Sequence, residues 1–117
     1  MSGASTRMRR VDALVREVVA EGVTRLSDPR LRDITITRAK ASSDLRVATV
    51  WWTTLHPEQR DGAGEALESA RGVLQGRVGA VVQGRNTPQL RFEHDDHQRQ
   101  AEHLTRLIDE LAPPDTE

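Results

Sequence analysis

Ile34 to Thr54 reads ITITRAKASSDLRVATVWWTT, with β-branched residues alternating on both sides of Ser42-Ser43-Asp44. A period of two is that of a strand, and Ser and Asp favour turns because their short side chains bond to nearby backbone. The stretch therefore predicts a β-hairpin. Its first strand slips in phase: Ile34 and Ile36 share a face, but Ala39 and Ala41 fall on the other unless one extra residue is accommodated near Thr37. A β-bulge there restores a single apolar face. It also turns Arg38 and Lys40 outward together, beside Arg46 across the turn. Trp51 and Trp52, adjacent on a strand, must point to opposite faces. One belongs to the core. The other either stacks on a nucleobase or packs beneath a helix edge, and packing is expected because RNA-reading sheets usually offer more than one aromatic.

Upstream, Met8, Val11, Leu14, Val15, Val18, Val19, Val23 and Leu26 follow the three-and-four spacing of one helical stripe, so a helix is expected from Arg7 to Leu26. Arg7, Arg9, Arg10 and Arg16 lie mostly off that stripe. Asp28-Pro29-Arg30 ends it, since proline disfavours helical geometry in the residue before it. Downstream, Pro57 opens a second helical pattern running to Gly84 through Leu67, Ala70, Leu74, Val78, Val81 and Val82. Glycine recurs so often in it that one straight helix is disfavoured, and a break at Ala70-Arg71-Gly72 into two angled helices is expected. After a loop from Arg85 to Pro88, Leu90, Phe92 and His94 alternate as a third strand. Asp95 or Asp96 then caps a last helix with Ala101, Leu104, Leu107, Ile108 and Leu111 on one side, ended by Pro113-Pro114. The result is an α+β domain over residues 7–111, with flexible ends at 1–6 and 112–117.

At 117 residues this is one ordinary domain, and 36 % hydrophobic residues plus eight glycines bring it close to globular composition and exclude global disorder. No apolar run approaches the ~18 residues of a membrane span, and Met1 to Thr6 lacks the apolar segment of a secretory signal. Cysteine is absent, which removes disulfides and thiolate chemistry. A soluble cytoplasmic protein is expected. The net charge of −1 hides a split: residues 1–60 carry +4 and residues 61–117 carry −5. Such asymmetry can orient a molecule in the field of a polyanion.

Catalytic chemistry has no foothold in the sequence. His94, Asp95, Asp96, His97 and His103 form the densest set of metal-ligand types, but a strand end, a cap and a helix surface account for them. Ser42, Ser43 and Asp44 have no positioned base or oxyanion donors and read as a turn. No phosphate-cradling glycine motif is present. Neither a metal nor a cofactor is expected, and the chain is not read as an enzyme.

The residues themselves carry a resemblance. Arg7-x-x-Arg10-Val11, Asp28-Pro29-Arg30-Leu31, Ile34-Thr35-Ile36, Ser42-Ser43-Asp44-Leu45 with Ala48 and Val50, Ala70-Arg71-Gly72, and Arg85-x-x-Pro88-x-Leu90-x-Phe92 followed by Asp95 stand in one order from Arg7 to about Leu111. Together they resemble the bacterial ribosome-binding factor A family. Trp52, where an aliphatic is common, and Asp96-His97 and Ala101, where small Ser and Gly are usual, depart from its pattern. The resemblance implies a type II KH-like domain, α-β-β-α-kink-α-β plus a C-terminal helix on a three-stranded mixed sheet, in which Ala70-Arg71-Gly72 replaces the usual GxxG loop. Gly76-Arg77-Val78-Gly79 formally spells GxxG but falls inside an apolar helical stripe and is read as a decoy.

That family implies a non-catalytic assembly factor that binds the immature 30S subunit and its 16S rRNA. It would support late maturation and processing of the pre-16S 5′ end, with a link to cold adaptation. Ribosomal proteins are further partners, no membrane is, and a monomer is expected. On that basis Arg7, Arg9, Arg10, Arg30, Arg32, Arg38, Lys40 and Arg46 are expected to gather on one rRNA-facing surface, which Arg71 and Arg77 extend at the kink. Gly72 is expected to permit the bend. The alternatives are a generic KH-type RNA-binding module, a protein-interaction module using the acidic Glu93 to Glu102 surface, and a small metal-dependent hydrolase using the His94 to His103 cluster.

Overall fold

The hairpin breaks register where its hydrophobic phase slips. Ile36 pairs with Trp52 and Arg38 with Trp51, so Thr37 is the extra residue of a bulge between strands β1 (Ile34–Ala41) and β2 (Val47–Thr54). Ile36 and Ala41 are buried and Ala39 packs against the core, while Arg38 and Lys40 are exposed. The turn is built by its own polar residues. Ser42 Oγ donates to Asp44 Oδ1 at 2.7 Å, and Asp44 Oδ1 also accepts the Arg46 N–H at 3.1 Å. These bonds hold the Asp44 carboxyl below its ordinary range, the Ser42 bond contributing most. Leu45 sits at φ 60°, a left-handed position at this tight corner, and its side chain packs against the core.

The computed structural model describes residues 6–82 and 87–96. Helix α1 (Thr6–Arg25) leads through a 3₁₀ turn, Pro29–Leu31, into the hairpin. A second 3₁₀ turn, Pro57–Gln59, opens α2 (Arg60–Ser69), which is followed by α3 (Arg71–Val81) and strand β3 (Gln89–His94). The sheet order is β1-β2-β3, with β1 antiparallel and β3 parallel to β2. A three-stranded mixed sheet with three helices is the α+β arrangement expected, and it is consistent with a KH-like fold. The last helix expected after Asp95 or Asp96, with Ala101 to Leu111 on one side, lies outside the described residues, as do residues 1–5 and 83–86.

The core forms between the helices and one face of the sheet. Val15, Val19 and Val23 of α1 meet Ala63, Ala66 and Leu67 of α2, Leu74 and Val78 of α3, and Ile36, Ala48, Val50, Trp52 and Leu90 of the sheet. Burying each of the larger side chains contributes about 1.5–3 kcal/mol. Gly22 lets α1 approach α3: a Cβ built there would lie 2.7 Å from Leu74 Cδ2 and 3.0 Å from Arg77 Cδ.

The break between α2 and α3 falls at Ala70, whose φ −91° and ψ 1° leave the helical region. Its N–H still bonds back to Ala66 O at 3.0 Å, and its carbonyl accepts the Leu74 N–H at 3.0 Å to start the next helix. Gly72 differs from expectation. It lies within α3 without a positive φ, and a Cβ there would meet nothing within 4 Å. The bend is set by Ala70 and by what the helices bury, not by glycine's conformational freedom. Gly76-Arg77-Val78-Gly79 is internal to α3, with Val78 fully buried.

Candidate nucleic-acid interface

Helix α1 buries its valine stripe, so Arg7, Arg9 and Arg10 at its start are exposed. Asp12 Oδ1 accepts the Ala41 N–H at 2.8 Å, fastening this half of the helix to the end of β1. One residue before that anchor, Lys40 stands exposed on the sheet, and Arg46 is exposed at the turn. The Asp12 bond joins the first half of α1 to the hairpin end of β1. Further along α1, Arg16 and the exposed Arg32 line one open cleft between the helix and β1.

The ten expected cations are not equivalent. Among the described residues, Arg7, Arg9, Arg10, Arg32, Arg38, Lys40 and Arg77 have no carboxylate partner. Arg30 is engaged: its Nη2 lies 2.8 Å from Asp28 Oδ2, its backbone N–H reaches Asp28 Oδ1 at 2.9 Å, and its Nη1 lies 3.7 Å from Glu65. The side-chain bond between them pushes the Asp28 carboxyl down and the Arg30 guanidinium up from their ordinary values. Arg46 sits 3.8 Å from Asp44. Arg71 pairs with Glu68 and donates to the Leu90 carbonyl at 3.0 Å, which ties the kink to β3.

One common face is not what the fold builds. Arg38 and Lys40 lie on the outer face of the sheet, whereas Arg77 and Arg71 belong to the helical layer on the other side, Arg77 beside Gly22 of α1. The division follows from the strand period: the bulge that points Ala39 and Ala41 to the helices points Arg38 and Lys40 away from them.

The tryptophans separate as adjacent strand residues must. Trp52 is 5 % exposed, beside Gly64 of α2 and edge-on to the His94 ring at 5.0 Å. Trp51 lies half-buried on the outer face, where Arg38 Cζ stands 4.1 Å from its ring centroid. His94 is taken up by Trp52 and by Asp96, with Nδ1 2.8 Å from Asp96 Oδ1. Asp95 accepts from the Thr37 hydroxyl. His97 and His103, the remaining histidines of that cluster, lie outside the described residues.

Arg16 and Arg91 are cations absent from the expected surface. Arg16 follows Arg9 by two helical turns and shares its side of α1, a spacing visible in the sequence. Arg91 is exposed on the outer face of the sheet, in line with Lys40 across Thr49. Its alternation with Leu90 and Phe92 marks it as facing away from the core, but only the strand order puts it beside Lys40.

Comparison with known proteins agrees with the architecture. The family model described as Ribosome-binding factor A matches residues 7–108. A Ribosome-binding factor A of Salinispora arenicola is 42 % identical over 113 residues, covering 95 % of this chain and 72 % of the relative. That of Rubrobacter xylanophilus is 35 % identical, covering 96 % and 93 %. The crystal structure of ribosome-binding factor A from Thermus thermophilus superposes with a TM-score of 0.67 at 29 % identity, covering 74 % of this chain and 94 % of that one. A homology model of the Thermus thermophilus protein, fitted into a cryo-EM map of its complex with the 30S subunit, gives 0.61 at 30 % identity, covering 72 % and 90 %. With the family model matched over residues 7–108 and relatives 35–42 % identical along most of its length, this chain belongs to the ribosome-binding factor A family.

Proposed function

We propose that this chain is a ribosome assembly factor that binds the immature 30S subunit at its 16S rRNA and supports late small-subunit maturation, including processing of the pre-16S 5′ end. The carrying observation is that Asp12 fastens α1, whose start exposes Arg7, Arg9 and Arg10, to the residue after the exposed Lys40, and that none of these four has a carboxylate partner among the described residues. Unpaired exposed cations neutralise phosphates and release condensed counterions, which supplies affinity without base reading. Shape then supplies selectivity, because the grooves of folded RNA are poorly read by sequence. The fit of the Thermus thermophilus relative into a 30S complex supports the partner.

In this reading the chain acts without catalysis, as a cytoplasmic monomer built on one domain over residues 7–111, with contacts to ribosomal proteins beside rRNA and a role in growth at low temperature. Among the described residues no helix is long and apolar enough to cross a membrane. The test is fractionation of ribosomal particles from cells expressing the tagged chain. Co-migration with free small subunits, and not with 70S particles, is the expected result, together with accumulation of pre-16S rRNA when the chain is removed. Migration independent of ribosomal particles overturns it.

A further inference from the structure

Two rows of side chains cross the outer face of the sheet. Arg38, Trp51 and Glu93 are register partners in one, and Lys40, Thr49 and Arg91 in the next. None of the six is buried. The Arg38 guanidinium lies over the Trp51 ring at 4.1 Å, and neither Arg38 nor Lys40 has a carboxylate partner among the described residues. Arg91 Nε stands 3.6 Å from Glu93 Oε2, the one acid of the two rows.

A guanidinium is planar and weakly hydrated, so one face can rest on an indole while the other stays open. Unpaired bases stack on such planes as they do on aromatic rings. The neighbouring row lies two residues away along the strands, about 6.6 Å, which places the Lys40 ammonium and the Arg91 guanidinium within reach of the backbone beside a stacked base. The excess of positive charge matches a polyanion. The stack requires a partner with an exposed π face, which a duplex keeps inside.

We infer that the outer face of the sheet is a stacking site for an unpaired base of single-stranded RNA, with Arg38 on Trp51 as its shelf and Lys40 and Arg91 on the adjoining phosphates. This rests on the reading of the chain as an rRNA-binding factor and adds to it the class of segment bound at the sheet: single-stranded, with an unpaired base.

The experiment measures binding of fluorescently labelled oligoadenylate and of a labelled RNA duplex, by anisotropy, to the full chain and to Trp51→Val, Trp51→Phe and Arg38→Lys, with circular dichroism to verify folding. Trp51→Val and Arg38→Lys should weaken oligoadenylate binding about tenfold or more, the scale of one base stack. Trp51→Phe should stay within about threefold of the parent, and the duplex should change by less than about twofold throughout, as expected when only stacking is removed. Arg38→Lys retains the charge, so its loss of binding reports the plane, and it carries the test alone if Trp51→Val does not fold. Equal loss on duplex and single strand overturns the inference, as does unchanged binding by both variants. Co-sedimentation of the parent chain with free small subunits, run in parallel, separates the two readings: if it persists while the variants bind oligoadenylate normally, the stacking site falls and the assembly role stands. If the parent binds neither oligoadenylate nor subunits, both fall.

Discussion

The Thr37 hydroxyl donates to Asp95 Oδ2 at 2.5 Å, joining the bulge of the first strand to the residue that follows the third. Thr37 can reach because the bulge removes it from the β1–β2 ladder, and Asp95 is in place because its N–H bonds to the Trp52 carbonyl at 2.7 Å. The bulge thus does two things at once: it sets which side chains face out, and it clamps the sheet across its width. Thr37→Val keeps the branched shape and removes the hydroxyl. It should cost about 1–2 kcal/mol, the range for losing a hydrogen bond to a carboxylate at a partly buried site, read as a lower urea midpoint with unchanged slope.

Helix packing offers a contrast between glycines. Gly22→Ala puts a methyl 2.7 Å from Leu74 Cδ2 where α1 meets α3, and should destabilise by about 1–3 kcal/mol through overpacking. Gly76→Ala adds a methyl to open space inside α3 and should stabilise by about 0.5–1 kcal/mol. Thermal unfolding of the two variants should therefore shift in opposite directions; shifts of the same sign would contradict this packing.

Asp28 links pH to stability through Arg30. The folded carboxyl lies below its unfolded value of 3.8, chiefly because of the side-chain bond to Arg30. A depressed carboxyl contributes stability that is present above the unfolded value and disappears as pH falls through the folded one. Asp28→Asn should therefore lower the melting temperature relative to the parent at neutral pH, with the gap closing below about pH 3.8. A gap that widens on acidification would reverse the assignment. The pair is exposed, so the effect is small.

Charge at the hairpin end should appear in salt dependence. Replacing Arg10 and Lys40 with Glu removes two phosphate-seeking cations that make no ion pair among the described residues, so folding should be little changed. Affinity for free small subunits should drop, and the slope of log affinity against log salt should flatten by roughly one for each phosphate left without its cation. Sedimentation across a salt series measures both. The matching reversal at Arg71 should instead unfold the kink locally, because that guanidinium holds the Leu90 carbonyl and Glu68.

The sequence pattern determined the helix of α1, the hairpin and the bulge near Thr37, because each is a local response of the chain: apolar spacing forces a face and a slipped phase forces an extra residue; it also located the break near Ala70, although burial and not glycine sets that bend. It also determined that Trp51 and Trp52 part company. What the sequence did not determine is which cations are available and on which side. Asp28 beside Arg30 and Glu68 one turn before Arg71 stand close in the sequence, but only folding brings Glu65 up to Arg30 and the Leu90 carbonyl up to Arg71. Arg91 joins Lys40 only because β3 lies parallel to β2, a pairing between segments some forty residues apart. Charge acts through space over a few ångströms, so beyond the pairs that chain order already sets, its partners are fixed by tertiary neighbours.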